Sequence, residues 1–279
     1  MSVVISGSLV LGDVQSGGGV INADNPLIAY NNFVDASNVS ATTSATGNLA
    51  TNLANPSTAL KWLAASASPL TDEYITLALN TAELVDYVAI ARHNFGTAGI
   101  TVSLESLDEG SPETWTEIIS EFIPADDSAI LMRFTPQAVT SLRIKLQPGT
   151  TEATAAVVYA GALLVLQRRI FVGHTPIKYG RKSRITNGRS ESGDFLGRIV
   201  LSEMTSTKVD MQNITGPWYR TYLDPFIQDS KTRPFFFAWR PSSYPSEIGF
   251  AWMTNDPQPS NSLPNGMMQI SLEMSGIAP

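Results

Sequence analysis

Near its C-terminal end the chain reads Arg-Pro-Phe-Phe-Phe-Ala-Trp-Arg-Pro over residues 233–241 and Tyr-Pro-Ser-Glu-Ile-Gly-Phe-Ala-Trp over residues 244–252. A further segment, residues 265–274, ends in the alternating run Gln-Ile-Ser-Leu-Glu-Met. Aromatic and β-branched residues favour strands, and proline is confined to strand ends and turns. These segments therefore predict β-strands joined by proline turns. Nothing in them resembles a catalytic motif, which favours a binding or assembly protein.

The aromatic run 235–239 does not alternate between apolar and polar residues. A strand of this kind is covered on both faces, by core on one side and by a helix or a neighbouring copy on the other. A wholly internal core and an interface between copies explain the run equally well. Under the second alternative, Phe236 and Trp239 are candidate interface residues.

Composition limits the class of protein. The 279 residues are enough for two domains, and only 15% of them are charged, against roughly 25% in an average protein. This balance suits β-rich extracellular or virion proteins. Cys is absent, which excludes a disulfide framework, a thiol nucleophile and a cysteine metal site. Because the sequence has no signal-like start and no apolar run of about 20 residues, we expect a protein made in a host cytoplasm without membrane insertion.

Charge divides the chain near residue 167. Residues 1–167 hold five basic and 16 acidic residues, a net charge of −11, whereas residues 168–279 hold 13 basic and nine acidic residues, a net charge of +4. A change of sign at one point predicts two units with different surroundings. We place an N-terminal arm at 1–24, a first domain at 25–167 and a second domain at 168–279.

Short alternating segments fill the first domain. Residues 74–79, 100–105 and 141–146 alternate apolar with polar side chains, which is the period of a half-buried strand. Turn clusters lie at 108–112 and 147–150. Antiparallel strands at this spacing predict a β-sandwich or jelly roll.

The order of these features resembles the discoidin, or galactose-binding-like, jelly roll. The matching segments are Asn38–Thr43, Thr58–Trp62, Glu73–Leu79, Val85–Phe95, Ile100–Ser106 and Thr114–Ile118. The resemblance implies this fold over residues 25–167 and a capacity for glycan contact, for which Trp62, His93 and Asn94 are the candidates. The alternatives are core packing for Trp62 and an ordinary surface-loop histidine for His93. Such jelly rolls also bind Ca²⁺ through loops, and Asp24, Asn25 and Asp35 are the candidates for this role. They lack a calcium-loop spacing, so we expect no metal site.

The second domain opens with a basic stretch. Residues 168–189 hold seven basic residues and no acid, which indicates a connector or an exposed hairpin. Arg181, Lys182 and Arg184 are therefore predicted assembly residues, since a basic arm matches the acidic first unit of a neighbouring copy. Because few aromatic residues lie among these basic residues, we expect no nucleic acid partner.

One short helix is predicted, over residues 216–228. Pro217 suits a first helical position, and Trp218, Tyr222 and Phe226 share one face. Pro225 should kink or end the helix. The predicted fold class is thus mainly β: an N-terminal jelly-roll sandwich, then a β-rich domain with one short helix.

Residues 165–279 resemble distal tail and tail-tip proteins of long-tailed bacteriophages. The resemblance rests on residues 234–241, 244–249, 252–254 and 265–268. It implies a ring, hexameric by preference, that joins the tail tube to the baseplate and contacts tube, hub and fibre proteins. The departure is the order of the domains, because the best-known distal tail proteins begin with the tube-forming domain.

The sequence contains no recognised catalytic pattern. His93 and His174 fall in different units, and no nucleophile-elbow motif accompanies either. The adjacent acids Asp126 and Asp127 do not imply two carboxylates across a cleft. We expect a non-enzymatic structural protein of the virion that needs no cofactor and turns its jelly roll outward, toward fibres or a host surface glycan. The alternative is a free carbohydrate-binding module protein that forms no ring; a glycan-processing enzyme has little support.

Overall fold

The computed structural model describes residues 2–11, 22–65, 71–79, 84–108, 114–261 and 266–277. The first thirteen strands are β1 (Val3–Ile5), β2 (Leu27–Ala29), β3 (Val39–Ala41), β4 (Trp62–Leu63), β5 (Glu73–Ala78), β6 (Leu84–Ala91), β7 (Val102–Asp108), β8 (Thr114–Phe122), β9 (Ile130–Ala138), β10 (Ser141–Leu146), β11 (Thr154–Ala155), β12 (Val157–Gly161) and β13 (Leu164–Val165). The remaining six are β14 (Arg181–Arg189), β15 (Phe195–Ile214), β16 (Phe235–Ala238), β17 (Ile248–Met253), β18 (Ser260–Asn261) and β19 (Met268–Ile277). Two 3-10 turns lie at Ala50–Ala54 and Ile177–Tyr179.

Two sheets form a sandwich in the first part of the chain. One has the order β1-β9-β6-β12 and the other the order β3-β5-β10-β7-β8. The alternating residues of β5 and β10 bury every second side chain, including Ile75 and Ile144, against Val88 and Ile90 of β6. The mainly β class with a jelly-roll sandwich, predicted from the period of two, is confirmed.

The described part of the predicted arm is built into this sandwich. Residues 3–5 pair in parallel with Leu131, Met132 and Arg133 of β9. The Val3 N–H also donates to the Pro245 carbonyl at 2.7 Å. Residues 12–21, which belong to the same predicted arm, lie outside the described residues.

A third sheet has the order β13-β2-β16-β17-β19-β15-β14, with β18 paired to β19. Its strands β2 and β13 come from the residue range predicted for the first domain, and β2 pairs directly with β16. A shared apolar core joins the third sheet to the sandwich. Its members include Tyr87, Leu131, Tyr159, Phe236 and Phe250. The boundary at 167 stays a prediction, but strands from both sides of it build this sheet.

The predicted helix forms in three successive turns: α1 (Gly216–Trp218), a π-helical turn (Tyr219–Leu223) and α2 (Asp224–Asp229). Pro225 neither ends nor breaks it. The Asp224 N–H donates to the Tyr219 carbonyl five residues earlier, and this widened turn makes room where a proline ring would meet the preceding turn. Among the described residues, no helix is long and apolar enough to cross a bilayer.

The aromatic strand β16 is covered on both faces by its own chain. Phe235 packs edge-on against Phe226 of α2, with ring centroids 4.9 Å apart. Phe236 points the other way and packs against Tyr159 and Phe250, at 5.5 and 4.9 Å. All three phenylalanines of the strand are fully buried. Of the two alternatives for the run, the wholly internal core therefore describes it.

Candidate functional site

The most unusual surface of the molecule is a two-stranded ribbon, residues 181–203, which we call the projecting ribbon. Strand β14 pairs with β15 from the Arg181–Thr205 pair to the Arg189–Phe195 pair. β15 reaches its other neighbour, β19, only from Met204 onward. The outer part of β15 therefore has β14 as its only strand partner among the described residues. Every residue of β14 is exposed.

The ribbon carries apolar side chains into solvent. Their exposed fractions are Phe195 67%, Leu196 68%, Ile199 65%, Val200 50% and Leu201 54%. A two-stranded ribbon is at best marginally stable by itself, and clustered exposed apolar residues mark sites of association. Sequence reasoning missed these residues, although the paired runs 195–196 and 199–201 were the available signal. It did place Arg181, Lys182 and Arg184 on an exposed hairpin, and all three lie on β14.

The base of the ribbon is held firmly. The Ser206 N–H donates to the Gly180 carbonyl at 2.6 Å. The Lys178 ammonium forms an ion pair with Asp126, in the loop after β8, at 3.3 Å. Ile177 is buried over Gly249 of β17. These contacts fix the direction of the ribbon relative to the sandwich.

A second feature is a pocket of about 370 Å³ between the loop after β6 and strands β17 and β19 of the third sheet. Its lining includes Lys61, Arg92, His93, Asn94, Asp127 and Phe250. Arg92 is exposed and has a φ of 56°, a left-handed conformation that an arginine rarely adopts. Neither Lys61 nor Arg92 has an ion-pair partner among the described residues. Sequence reasoning missed both cations, each of which precedes a residue that it did select.

His93 is a buried, neutral histidine. Its Nε2 lies 2.7 Å from the Ser128 carbonyl and its Nδ1 lies 3.2 Å from the Phe95 amide nitrogen. Because a carbonyl can only accept, Nε2 carries the proton and Nδ1 accepts from the Phe95 N–H. Burial lowers the pKa of His93 from 6.5 to about 4. Both ring nitrogens are thus used in hydrogen bonds to the backbone of this chain.

Asn94 and Trp62 also use their polar atoms within the chain. Asn94 donates to the Glu152 carbonyl at 2.8 Å and accepts from the Thr154 N–H at 2.9 Å. Trp62 is fully buried in the sandwich core, and its indole N–H donates to the Thr43 carbonyl at 2.9 Å. The Trp62 ring is therefore not available to stack on a sugar, because the strand register turns it inward.

The two aromatic residues predicted for an interface lie at different depths. Phe236 is fully buried between the sandwich and the third sheet, so it contacts this chain and not a neighbouring copy. Trp239 is half-buried, and its ring stacks on that of Tyr244 at 5.4 Å. The Trp239 indole N–H donates to the Glu247 carboxylate.

The three candidate calcium ligands also form hydrogen bonds within their own chain. The Asp24 carboxylate accepts from the Ser243 N–H at 2.8 Å, and Asp35 accepts from the Ser37 N–H at 2.7 Å. Asn25 donates to the Leu166 carbonyl at 3.0 Å. In the part of the chain that the structure describes, no group of three or more His, Asp or Glu residues is placed to hold a metal ion.

Asp86 and His93 change the stability of the fold in opposite directions as the pH changes. Burial raises the pKa of Asp86 from 3.8 to about 6, although the Leu163 N–H and the Arg133 guanidinium favour its charged form. Folded protein therefore binds a proton at Asp86 more tightly than unfolded protein, and stability falls as pH rises from 3.8 to 6. For His93 the unfolded state binds the proton more tightly, so stability falls as pH drops from 6.5 to 4.

Replacing Asp86 by asparagine should reveal the His93 contribution. In Asp86→Asn the free energy of unfolding should fall by up to about 1.4 kcal/mol per pH unit between pH 6.5 and 4, since one proton is taken up on unfolding. The unsubstituted protein should change less between pH 6 and 4, because Asp86 contributes the opposite slope. Urea denaturation across this range measures both. Identical pH profiles for the two proteins would contradict the assignment.

No protein-family model matches the chain, and no curated protein matches it. Several solved structures that resemble about half of it are carbohydrate-binding modules. Chitosan-binding module 1 of a chitosanase/glucanase from Paenibacillus sp. IK-5 is 17% identical with a TM-score of 0.39, covering 47% of this chain and 99% of the module. The family 32 module of Clostridium perfringens NanJ, solved with galactose, is 15% identical with a TM-score of 0.39, covering 50% and 99%. A Clostridium perfringens CBM32 module, solved with GalNAc-β-1,3-galactose, is 17% identical with a TM-score of 0.38, covering 44% and 94%.

Proposed function

We propose that this chain is a non-enzymatic assembly subunit of a virion, whose copies join through the projecting ribbon. The observation that carries the proposal is the cluster of five exposed apolar side chains on a two-stranded ribbon whose outer part pairs with no further strand among the described residues. The sequence charge pattern adds to it, because the ribbon begins within a basic stretch and the first domain is acidic.

The energetics favour a closed assembly. Completing the burial of five half-exposed apolar side chains contributes on the order of 5–10 kcal/mol. Association costs a similar amount in lost translational and rotational freedom. A single interface of this kind is therefore weak, but each subunit in a closed ring makes two. A head-to-tail interface closes into a ring when the rotation between copies allows it.

Within that proposal, the ring lies in a long-tailed phage, between the tail tube and the baseplate, and a hexamer is favoured. The support is the resemblance of residues 165–279 to tail-tip proteins. The jelly roll would face outward, toward fibre proteins or a host glycan. The tube and hub proteins would be its axial partners.

Removing the apolar side chains of the ribbon should abolish assembly. The variant Phe195→Ser, Leu196→Ser, Ile199→Ser should be monomeric by light scattering at concentrations where the unsubstituted chain is oligomeric, because the buried apolar area of the interface is lost. Val10→Ser, Leu49→Ser, Val172→Ser is the matched control, since all three are exposed apolar residues outside the ribbon. A triple variant with the same mass as the unsubstituted oligomer would refute the role of the ribbon.

A second candidate function is the binding of a polar ligand in the 370 Å³ pocket. Its size falls within the range of small-molecule sites, and Lys61 and Arg92 reach it without ion-pair partners among the described residues. Because of this pocket, a free carbohydrate-binding module protein stays the alternative to the assembly function. A glycan array should then show binding that Lys61→Ala, Arg92→Ala removes and Arg198→Ala, an exposed ribbon arginine, leaves intact. Equal signals from both variants would exclude the pocket.

A further inference from the structure

Two sheets of this molecule end in an open edge of the same length. The five-stranded sheet ends in β8, which pairs with β7, and the third sheet ends in β14, which pairs with β15. Each edge strand has nine residues. Neither has a second strand partner among the described residues. An open edge of this length exposes a row of unpaired N–H and C=O groups, which proteins normally cover or blunt.

The two edges carry opposite charge. β14 holds four basic residues and no acid: Arg181, Lys182, Arg184 and Arg189. β8 holds Glu117 and Glu121 and no basic residue. Glu117 is exposed, and Glu121 is an exposed carboxylate that lies 3.5 Å from Lys145. Opposite charges across a strand pair stabilise it, and like charges directly opposite destabilise it.

This charge pattern selects between the ways in which two copies could pair. Two β14 edges would bring eight cations together, because each edge contributes four. Two β8 edges would bring their glutamates together. Pairing β14 with β8 avoids both repulsions and matches nine residues with nine.

We propose that the β14 edge of one copy adds in antiparallel fashion to the β8 edge of a second copy, forming one continuous sheet between molecules. The inference rests on the proposed assembly function and names its partner surface. All pairings within the two sheets are antiparallel, which sets the orientation.

Pairing all nine residues of β14 with all nine of β8 places specific side chains opposite one another. If Arg181 lies opposite Phe122 and Arg189 opposite Thr114, then Lys182 lies opposite Glu121. Arg184 is then diagonal to both Glu117 and Glu121, within reach of a long side chain. Ser183 lies opposite Ser120. Each copy supplies one edge of each kind, so the contact is head-to-tail and generates a ring or a filament.

The absence of cysteine from the sequence allows a clean cross-linking test. Ser183→Cys and Ser120→Cys are made in separate full-length chains that carry tags of different length, mixed in equal amounts and oxidised. Opposite residues in antiparallel strands lie about 4.5–5.5 Å apart between Cα atoms, which suits a disulfide. The mixed disulfide should exceed both homodimers several-fold on a non-reducing gel. Ser57→Cys, exposed and distant in sequence from β8, replaces Ser120→Cys in the control mixture, which should give no such excess.

Light scattering of the same mixtures separates the failure of this inference from that of the proposed function. If the chains assemble but the mixed disulfide is no more abundant than in the control, the edge pairing is wrong and the assembly function stands. If the chains stay monomeric and form no mixed disulfide, both are wrong. As a second variant, Lys182→Glu, Arg184→Glu should weaken assembly, and mixing it with Glu117→Lys, Glu121→Lys should restore it. Failure of the charge exchange to restore assembly would also overturn the pairing.

Discussion

Replacing Phe236 by alanine is expected to lower the free energy of unfolding by about 3–5 kcal/mol, the cost of removing a fully buried phenylalanine from a packed core. The ring lies where the sandwich meets the third sheet and packs against Tyr159 and Phe250 at 5.5 and 4.9 Å. The cavity opens in the core that the sandwich and the third sheet share. The substitution should therefore destabilise both, and not one of them alone. Urea denaturation followed by tryptophan fluorescence measures it.

Phe195→Ala is the matched control for that experiment. Phe195 is an exposed phenylalanine of the projecting ribbon, so its removal should change the stability of the monomer by no more than about 0.5 kcal/mol. Equal losses in the two variants would contradict the description of Phe236 as the packed residue of the junction.

Replacing Gly180 by alanine should cost about 3 kcal/mol, at the upper end of what overpacking costs. A Cβ at this position would lie 1.9 Å from the Ser206 carbonyl oxygen, a backbone atom that cannot turn aside. Relief of the clash must move β14 away from β15 at the base of the ribbon. The variant should therefore lose assembly as well as stability, measured by denaturation and light scattering.

Gly7→Ala provides the control for Gly180, because a Cβ there would meet no atom within 4 Å. Its stability and its assembly should match those of the unsubstituted chain. If Gly180→Ala were as stable as Gly7→Ala, the close approach between Gly180 and Ser206 would be disproved.

The sandwich could be predicted from sequence because its strands obey a local rule. In β5 and β10 the period of two is unbroken, and the structure buries the residues that the pattern selects, such as Ile75 and Ile144. The three-residue strand β2 carries no such pattern. Its place beside β16 is decided by pairing between segments more than 200 residues apart, which no local rule reports.

The residues of the candidate site also differ in how far the sequence alone could place them. Arg181, Lys182 and Arg184 could be placed on an exposed hairpin because charge shows in the sequence and charged residues stay at the surface. Their role in assembly stays a prediction. For Trp62 and Phe236 the sequence left burial and a binding surface both open, because an aromatic residue in a strand suits either. Only the tertiary fold decides between them, and it buries both side chains. The exposed residues Phe195 and Leu196 were missed for the converse reason, since apolar pairs normally indicate burial.

If copies of this chain associate through the projecting ribbon into a closed assembly, the intact chain must be oligomeric in solution. The most direct test is light scattering after size exclusion of the intact chain over a range of concentrations, with negative-stain images of the peak. We expect a discrete multiple of the 30.1 kDa subunit mass and ring-shaped particles. A 30.1 kDa species that stays monomeric at every concentration would contradict it.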